Sequence, residues 1–261
     1  NTMDNVNLRA VVLDILLEND KNPGHSNLIT GQALSKFQYL PKSQRAFISR
    51  LAEGTIERRI EEDWLIDHVS SVSTKKMKPV IRNIMRMSAY QLKYMDSVPV
   101  SAVCNEAVKL ARKRGFSSLT GFVNGVLRSL ARDINNIQYP DKSDFIRYCM
   151  IRYSMPEYVV RILMDECGSC TEDVLKGFEK EHRLYIRCNT GLITPGGLKK
   201  KLTDEGVTVE DTCVPYAFAI SGYDYLADLT SFEEGLFQVQ DLSSILAGLA
   251  VNPNPGDYVV D

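Results

Sequence analysis

Apolar residues recur every three or four positions through the first half of this 261-residue chain and every second position from Leu184 onward, and that change of period decides its architecture. Leu8, Val11, Val12, Ile15 and Leu16 form one helical stripe, and Phe47, Ile48, Leu51 and Ile56 form another, entered through Ser43 after Pro41. A third stripe, Ile81, Ile84, Met85, Ser88, Leu92 and Met95, carries Arg82, Arg86 and Lys93 on its other faces until Pro99 breaks it. Val103, Ala107, Leu110 and Ala111 predict a helix stopped at Gly115, and Phe122, Val123, Val126, Leu127 and Leu130 predict the next. Residues 4–138 are therefore expected to form an all-helical bundle. Polar residues 135–144, which include Pro140, mark a boundary. Ser154-Met155-Pro156-Glu157 then has capping-box spacing and predicts a helix to Gly168, with a short helix over 171–180 behind it.

From Leu184 to Asn189 the alternation predicts a half-buried strand, with Arg187 and Asn189 on one face and Cys188 on the other. Thr194-Pro195 opens a helix, Gly206 closes it, and residues 207–209 and 217–220 are two further strands. The resulting β-α-β-β order over 184–220 is that of small sheets that bind RNA. Residues 236–239 follow as a strand, 242–249 as a helix, and Tyr258-Val259-Val260 as a buried strand after a Pro- and Gly-rich turn. The expected fold class is mainly α. A helical bundle (4–138) is followed by linker helices with a small α+β domain, RRM-like or ferredoxin-like (139–229), and then by the first elements of a third domain (230–261).

A formal net charge of −2 conceals a strong segregation along the chain. Residues 75–132 hold twelve Lys and Arg against Asp96 and Glu106, about +10, whereas residues 202–261 hold eleven acids and no Lys or Arg. Such asymmetry points to a polyanionic partner at the basic end. No apolar run reaches the roughly 20 residues of a membrane span, so a cytoplasmic protein is expected. Asn1-Thr2-Met3 reads as a cloning scar ahead of a start methionine, and six irregularly spaced cysteines read as reduced thiols.

Two stretches carry a family resemblance. PVSAVCNEAVKLARKRGFSSLTGFVNGVLRSLAR, residues 99–132, resembles the signature of the NusB-like helical RNA-binding domain, with Asn105-Glu106-Ala107-Val108 in one helix and Gly121-Phe122-Val123-Asn124-Gly125-Val126-Leu127 in the next. EGLFQVQDLSS, residues 234–244, resembles the entry motif of the Sun/RsmB family of S-adenosylmethionine-dependent RNA cytosine-5 methyltransferases. Arg187-Cys188-Asn189-Thr190 is similar to that family's Arg-x-Asn-Thr strand end. The resemblance implies a NusB-like domain, a small α+β domain and a Rossmann-like catalytic domain, in that order. It also implies that Asp261 ends the strand before a Cys-Ala-Ala-Pro-Gly-Gly-Lys cofactor loop, and that the loop and two later cysteine motifs lie beyond this chain.

The expected function is that of an RNA-binding N-terminal portion of a 16S rRNA cytosine-5 methyltransferase. Its partner would be small-subunit ribosomal RNA, with neither DNA nor membrane involved, and it would act as a monomer. S-adenosylmethionine would serve the intact parent, with none bound to this portion and no catalytic residue within it. The alternative is a non-enzymatic NusB-type transcription antitermination module, which would end near residue 138.

Lys75, Lys76, Lys78, Arg82 and Arg86 form one candidate phosphate-binding patch, and Arg112, Lys113 and Arg114 another. Few aromatic residues interleave with either, so backbone and shape recognition is expected rather than base stacking, and Tyr90 and Tyr94 read as core or rim. By resemblance, Arg187 and Asn189 touch RNA near the catalytic cleft, and Gln240, Asp241 and Asp261 border the cofactor and substrate pocket. Asp241 also stands where it can cap the following helix. Cys104, Cys149, Cys188 and Cys213 read as bystanders. Cys167-Gly168-Ser169-Cys170 has metal-ligand spacing, but with only His182 nearby it lacks the four donors of a zinc site, and no metal is expected.

Overall fold

A computed structural model describes residues 6–180, 183–252, 254 and 256–259. Val260, Asp261 and His182 lie outside the described residues. The chain divides into two compact units, one ending at Glu179 and the other beginning at Lys180. No described helix is long and apolar enough to cross a membrane.

The first unit is helical: α1 (Leu8–Lys21), α2 (Ser26–Ser35), α3 (Lys42–Glu57), α4 (Arg59–Val69), α5 (Pro79–Tyr94), α6 (Val100–Lys113), α7 (Thr120–Asp133), α8 (Phe145–Arg152), α9 (Glu157–Cys167) and α10 (Thr171–Phe178). Helix α5 is central and packs against α1, α3, α4, α6 and α7. It is therefore buried on more than its apolar stripe: Asn83, Arg86, Ser88 and Gln91 are enclosed together with Ile81, Ile84 and Met85. One cluster of buried side chains runs from Val12 to Ile134, with a smaller one around Cys149, Tyr153, Val160 and Leu175.

Helices α2 and α4 escape the periodicity for physical reasons. Helix α2 buries only Thr30, so it has little stripe to detect. Helix α4 places Glu61 and Glu62 at core positions beside Leu65 and Ile66, which breaks the binary pattern.

The capping box expected at Ser154 does not form. Ser154 instead adopts φ +51° just beyond α8, and the Met155 N–H reaches back to the Met150 carbonyl at 3.0 Å, a Schellman-type closure. The Ser154 hydroxyl accepts from the Ile60 N–H at 3.0 Å, joining this turn to α4, and Pro156 precedes α9 with no side-chain cap.

The second unit is β1 (Leu184–Cys188), α11 (Pro195–Asp204), β2 (Thr208–Asp211), β3 (Ala217–Ser221), α12 (Thr230–Glu233), β4 (Phe237–Val239) and α13 (Leu242–Val251). The sheet is antiparallel with order β2-β3-β1-β4, so β-α-β-β-α-β gives the ferredoxin-like split arrangement. Helix α11 starts as its sequence dictates: the Thr194 hydroxyl accepts from the Gly197 N–H at 3.1 Å, with Pro195 at the first turn. Strand β4 pairs Phe237 with Cys188 and Val239 with Ile186, so the sheet continues beyond residue 229.

Two side chains make the first unit sensitive to substitution. Gly54 of α3 lies under the Tyr90 ring, where a Cβ would stand 2.0 Å from Cζ. Gly54→Ala should therefore lower stability by about 1–3 kcal/mol in urea denaturation, despite the better helix propensity of alanine. Glu62 is fully buried and neither carboxylate oxygen has a hydrogen-bond partner among the described residues, and burial raises its carboxyl well above the ordinary range. Its proton is held more tightly folded than unfolded, so stability is full at low pH and falls as pH rises from the ordinary carboxylate value through the raised one. Each pH unit in that window costs up to about 1.4 kcal/mol. Glu62→Gln should flatten this decline, measured as urea midpoints from pH 4 to pH 8.

Candidate nucleic-acid interface

The two basic patches are sorted by what surrounds each cation. Lys75 and Lys76 sit on a short 3-10 turn, Thr74–Lys76, and Lys78 precedes α5; all three are exposed with no carboxylate partner among the described residues. Asp67 builds this turn, accepting from the Ser73 hydroxyl at 3.0 Å and from the Thr74 N–H at 2.7 Å.

Arg86 departs from expectation. Only 7% exposed, it donates through Nε and Nη2 to Asp63 at 2.8 and 2.7 Å, because α5 is enclosed on the face where Arg86 lies. Arg82 is partly buried and pairs with Asp20 at 3.2 Å, an acid that also accepts from Asn83 at 2.9 Å. These two guanidinium groups fix α5 to α4 and α1.

Arg112 and Lys113 form the exposed last turn of α6, where cations complement the helix dipole, and neither meets a carboxylate among the described residues. Gly115 at φ +86° ends the helix, and the Phe116 N–H closes on the Ala111 carbonyl at 2.9 Å. Arg114 turns back to Asp14 of α1 at 2.6 Å.

The Asn105–Val108 and Gly121–Leu127 segments border a groove of about 430 Å³ lined by Asn105 and Lys109 of α6 and Thr120, Gly121, Asn124 and Arg128 of α7. Arg128 donates to Asn124 at 3.2 Å and Lys109 to Glu106 at 2.8 Å. Asn105, Gly121 and Asn124 belong to the motif segments, whereas their grouping with Lys109, Thr120 and Arg128 in one groove was not evident from the sequence. The signal for that grouping was the i,i+4 spacing of Asn105 with Lys109 and of Asn124 with Arg128, on the faces opposite the apolar stripes.

In the second unit Arg187 is exposed on β1 and donates to Gln238, its cross-strand neighbour, at 3.1 Å. Asn189 fixes the end of β1, its side chain donating to the Gly235 carbonyl at 3.1 Å and its N–H to the Leu236 carbonyl at 2.8 Å. The Gln240 N–H extends the sheet to the Tyr185 carbonyl at 3.1 Å. Asp241 caps α13, accepting from the Ser243 N–H at 2.8 Å and from its hydroxyl at 2.7 Å. Asp261 lies outside the described residues.

The three buried cysteines are poorly placed for thiolate chemistry. Burial pushes Cys149 up to about 11 and also raises Cys104 and Cys188. Cys167 is half-buried and Cys170 exposed, and no group of three or more His, Cys, Asp or Glu among the described residues is placed to hold a metal ion.

The chain is similar to known proteins in sequence and in fold. The chain is 27% identical over 262 residues to the probable ribosomal RNA small subunit methyltransferase B of Bacillus subtilis (strain 168), an alignment covering 99% of this chain and 58% of that relative. A crystal structure titled PH0851 superposes with a TM-score of 0.68 at 20% identity, covering 95% of this chain and 56% of that one, and so shares its fold. The chain thus spans under two thirds of the length of either. The transcription antitermination protein NusB of Bacillus subtilis (strain 168) is 35% identical over 89 residues, 34% of this chain and 68% of that protein. Residues 6–132, which contain helices α1 to α6 and most of α7, match the NusB family. Through this helical bundle the chain belongs to the NusB family.

Proposed function

We propose that this chain is the RNA-binding N-terminal part of a Sun/RsmB-type ribosomal RNA cytosine-5 methyltransferase, which presents small-subunit RNA to a catalytic domain that follows residues 230–261. The observation that carries the reading is the set of exposed cations without carboxylate partners among the described residues, Lys75, Lys76, Lys78, Arg112 and Lys113, on a NusB-family bundle in which Arg82, Arg86, Lys93 and Arg114 are paired with carboxylates. Lys and Arg that neutralise phosphates release counterions, which makes such contacts the main source of RNA affinity. Similarity along 99% of the chain to a small-subunit rRNA methyltransferase favours this reading over an antitermination module, since the NusB match stops at residue 132.

Methylating cytosine C5 requires a thiolate that adds to C6 and later leaves, so a cysteine with a depressed pKa is needed. Buried Cys104, Cys149 and Cys188 have raised values and do not meet this requirement. S-adenosylmethionine would supply the methyl group in the intact protein. Gln240 and Asp241 serve the sheet and the α13 cap, and methyl transfer is assigned to a following domain. Arg187 and Asn189 would then guide RNA along the exposed face of β1.

Two outcomes test this reading. Fluorescence anisotropy with a labelled small-subunit rRNA fragment should show affinity falling steeply with salt, and the double variant Arg112→Glu, Lys113→Glu should weaken binding about tenfold and lower the salt slope by about 1–2. An unchanged slope removes that patch from the interface. The gene read beyond codon 261 should encode a Cys-Ala-Ala-Pro-Gly-Gly-Lys loop; an unrelated continuation overturns the methyltransferase reading.

A further inference from the structure

Beside the Lys75 turn lies a cleft of about 790 Å³ that includes Trp64, His68, Lys75 and Arg147 in its lining. Trp64 is the one tryptophan of the chain. The Arg147 guanidinium of α8 lies 5.3 Å from the centroid of the Trp64 ring, and the His68 ring is 4.4 Å away, tilted by 59°. The partnership differs from the other cation and ring contacts nearby. Arg58, Lys93, Lys142 and Arg152 each lie over a tyrosine ring and also pair with a carboxylate, at 2.8, 3.0, 2.9 and 2.7 Å. Arg147 is exposed and no carboxylate claims its guanidinium among the described residues. Its N–H donors therefore remain available beside the half-buried Trp64 ring.

The remaining groups narrow the ligand. His68 is exposed and its Nδ1 lies 3.0 Å from the Trp64 carbonyl, an oxygen that only accepts, so Nδ1 carries a proton, and in that tautomer Nε2 is an acceptor. Lys75 adds a cation without a carboxylate partner at the rim. Two acids also line the cleft, Asp63, held by Arg86, and Asp67, which holds the Ser73–Thr74 turn. Their charge disfavours a polyphosphate and leaves room for one phosphate at Lys75 with an aromatic group inside. A ring platform, a planar cation, one acceptor and one rim cation match an unpaired nucleobase with its 5′ or 3′ phosphate.

We infer that this cleft is a stacking subsite for a single unpaired base of the bound RNA, the base lying against the Trp64 and Arg147 planes and its phosphate meeting Lys75. The inference rests on the RNA-binding reading and adds a single-strand contact to the phosphate contacts of the exposed lysines. Stacking of this kind tolerates any base, because every base offers a π-face.

Intrinsic fluorescence tests it in the unmodified protein, since all tryptophan emission comes from Trp64. A single-stranded RNA decamer should quench that emission in proportion to binding followed independently by anisotropy, and a blunt RNA duplex of equal length should bind with little quenching. Arg147→Ala, at an exposed position, should weaken the decamer about tenfold and leave duplex affinity unchanged. Trp64→Phe should retain most of the decamer affinity where Trp64→Leu loses it, with far-UV circular dichroism confirming that each variant is folded. Anisotropy showing tight, salt-dependent binding while emission stays constant and Arg147→Ala binds normally overturns the subsite and leaves the RNA reading intact. Absence of binding to either RNA overturns both.

Discussion

The carboxylate of Glu61, with 0% exposure, is the interaction on which the first unit depends. A charge withdrawn from water must be answered by donors and counter-charges or it forbids folding. Here the hydroxyls of Tyr94 and Tyr139 both donate to it, Lys93 lies at 3.0 Å and Arg58 at 3.9 Å. Burial and the Glu61 charge push both phenols well above their usual range, which keeps them neutral donors. Tyr139 belongs to the segment after α7, so one carboxylate joins α4, α5 and the exit from the bundle. Arg58 passes the connection onward, sharing Glu179 with Arg152 of α8 at 2.8 and 2.7 Å. Burial would raise the Glu179 carboxyl, but the two arginines outweigh it and hold it below the ordinary range.

This use of charge explains why a segment of about +10 presents fewer free cations than its composition suggests. Arg82, Arg86, Lys93 and Arg114 hold helices together through Asp20, Asp63, Glu61 and Asp14. All four of those acids lie outside residues 75–132, on α1 and α4, so the local charge excess is partly neutralised from elsewhere in the fold. What remains outward, at the turn before α5 and at the end of α6, is the surface suited to phosphate.

Much of the fold was legible. The stripes of α1, α3, α5, α6 and α7 follow the helical period because each lays one apolar face on a shared core, and β1 alternates because one face of its sheet is covered. The α11 start and the Asp241 cap follow from local chemistry alone. Helix α4 was hidden because two glutamates occupy core positions, and Ser154 mimicked a cap because its spacing to Glu157 says nothing of the φ +51° turn it actually makes. In the candidate interface, Lys75, Lys76, Lys78, Arg112 and Lys113 were readable as charge, whereas the groove residues Asn105, Lys109, Asn124 and Arg128 required two helices to meet.

The sequence by itself therefore determined the order of a helical bundle and a small α+β sheet, the positions of the basic segment, and the family to which the bundle belongs. These are properties of period, spacing and composition, which depend on neighbours along the chain. Only the tertiary structure decided that Arg86 faces inward to Asp63, that β4 completes the sheet beside β1, and that Arg147 comes to lie over Trp64, 83 positions earlier, in the cleft that Lys75 borders. The physical reason is that exposure and ion pairing are set by which surfaces the core brings together, and a helical repeat specifies a face without naming its partner.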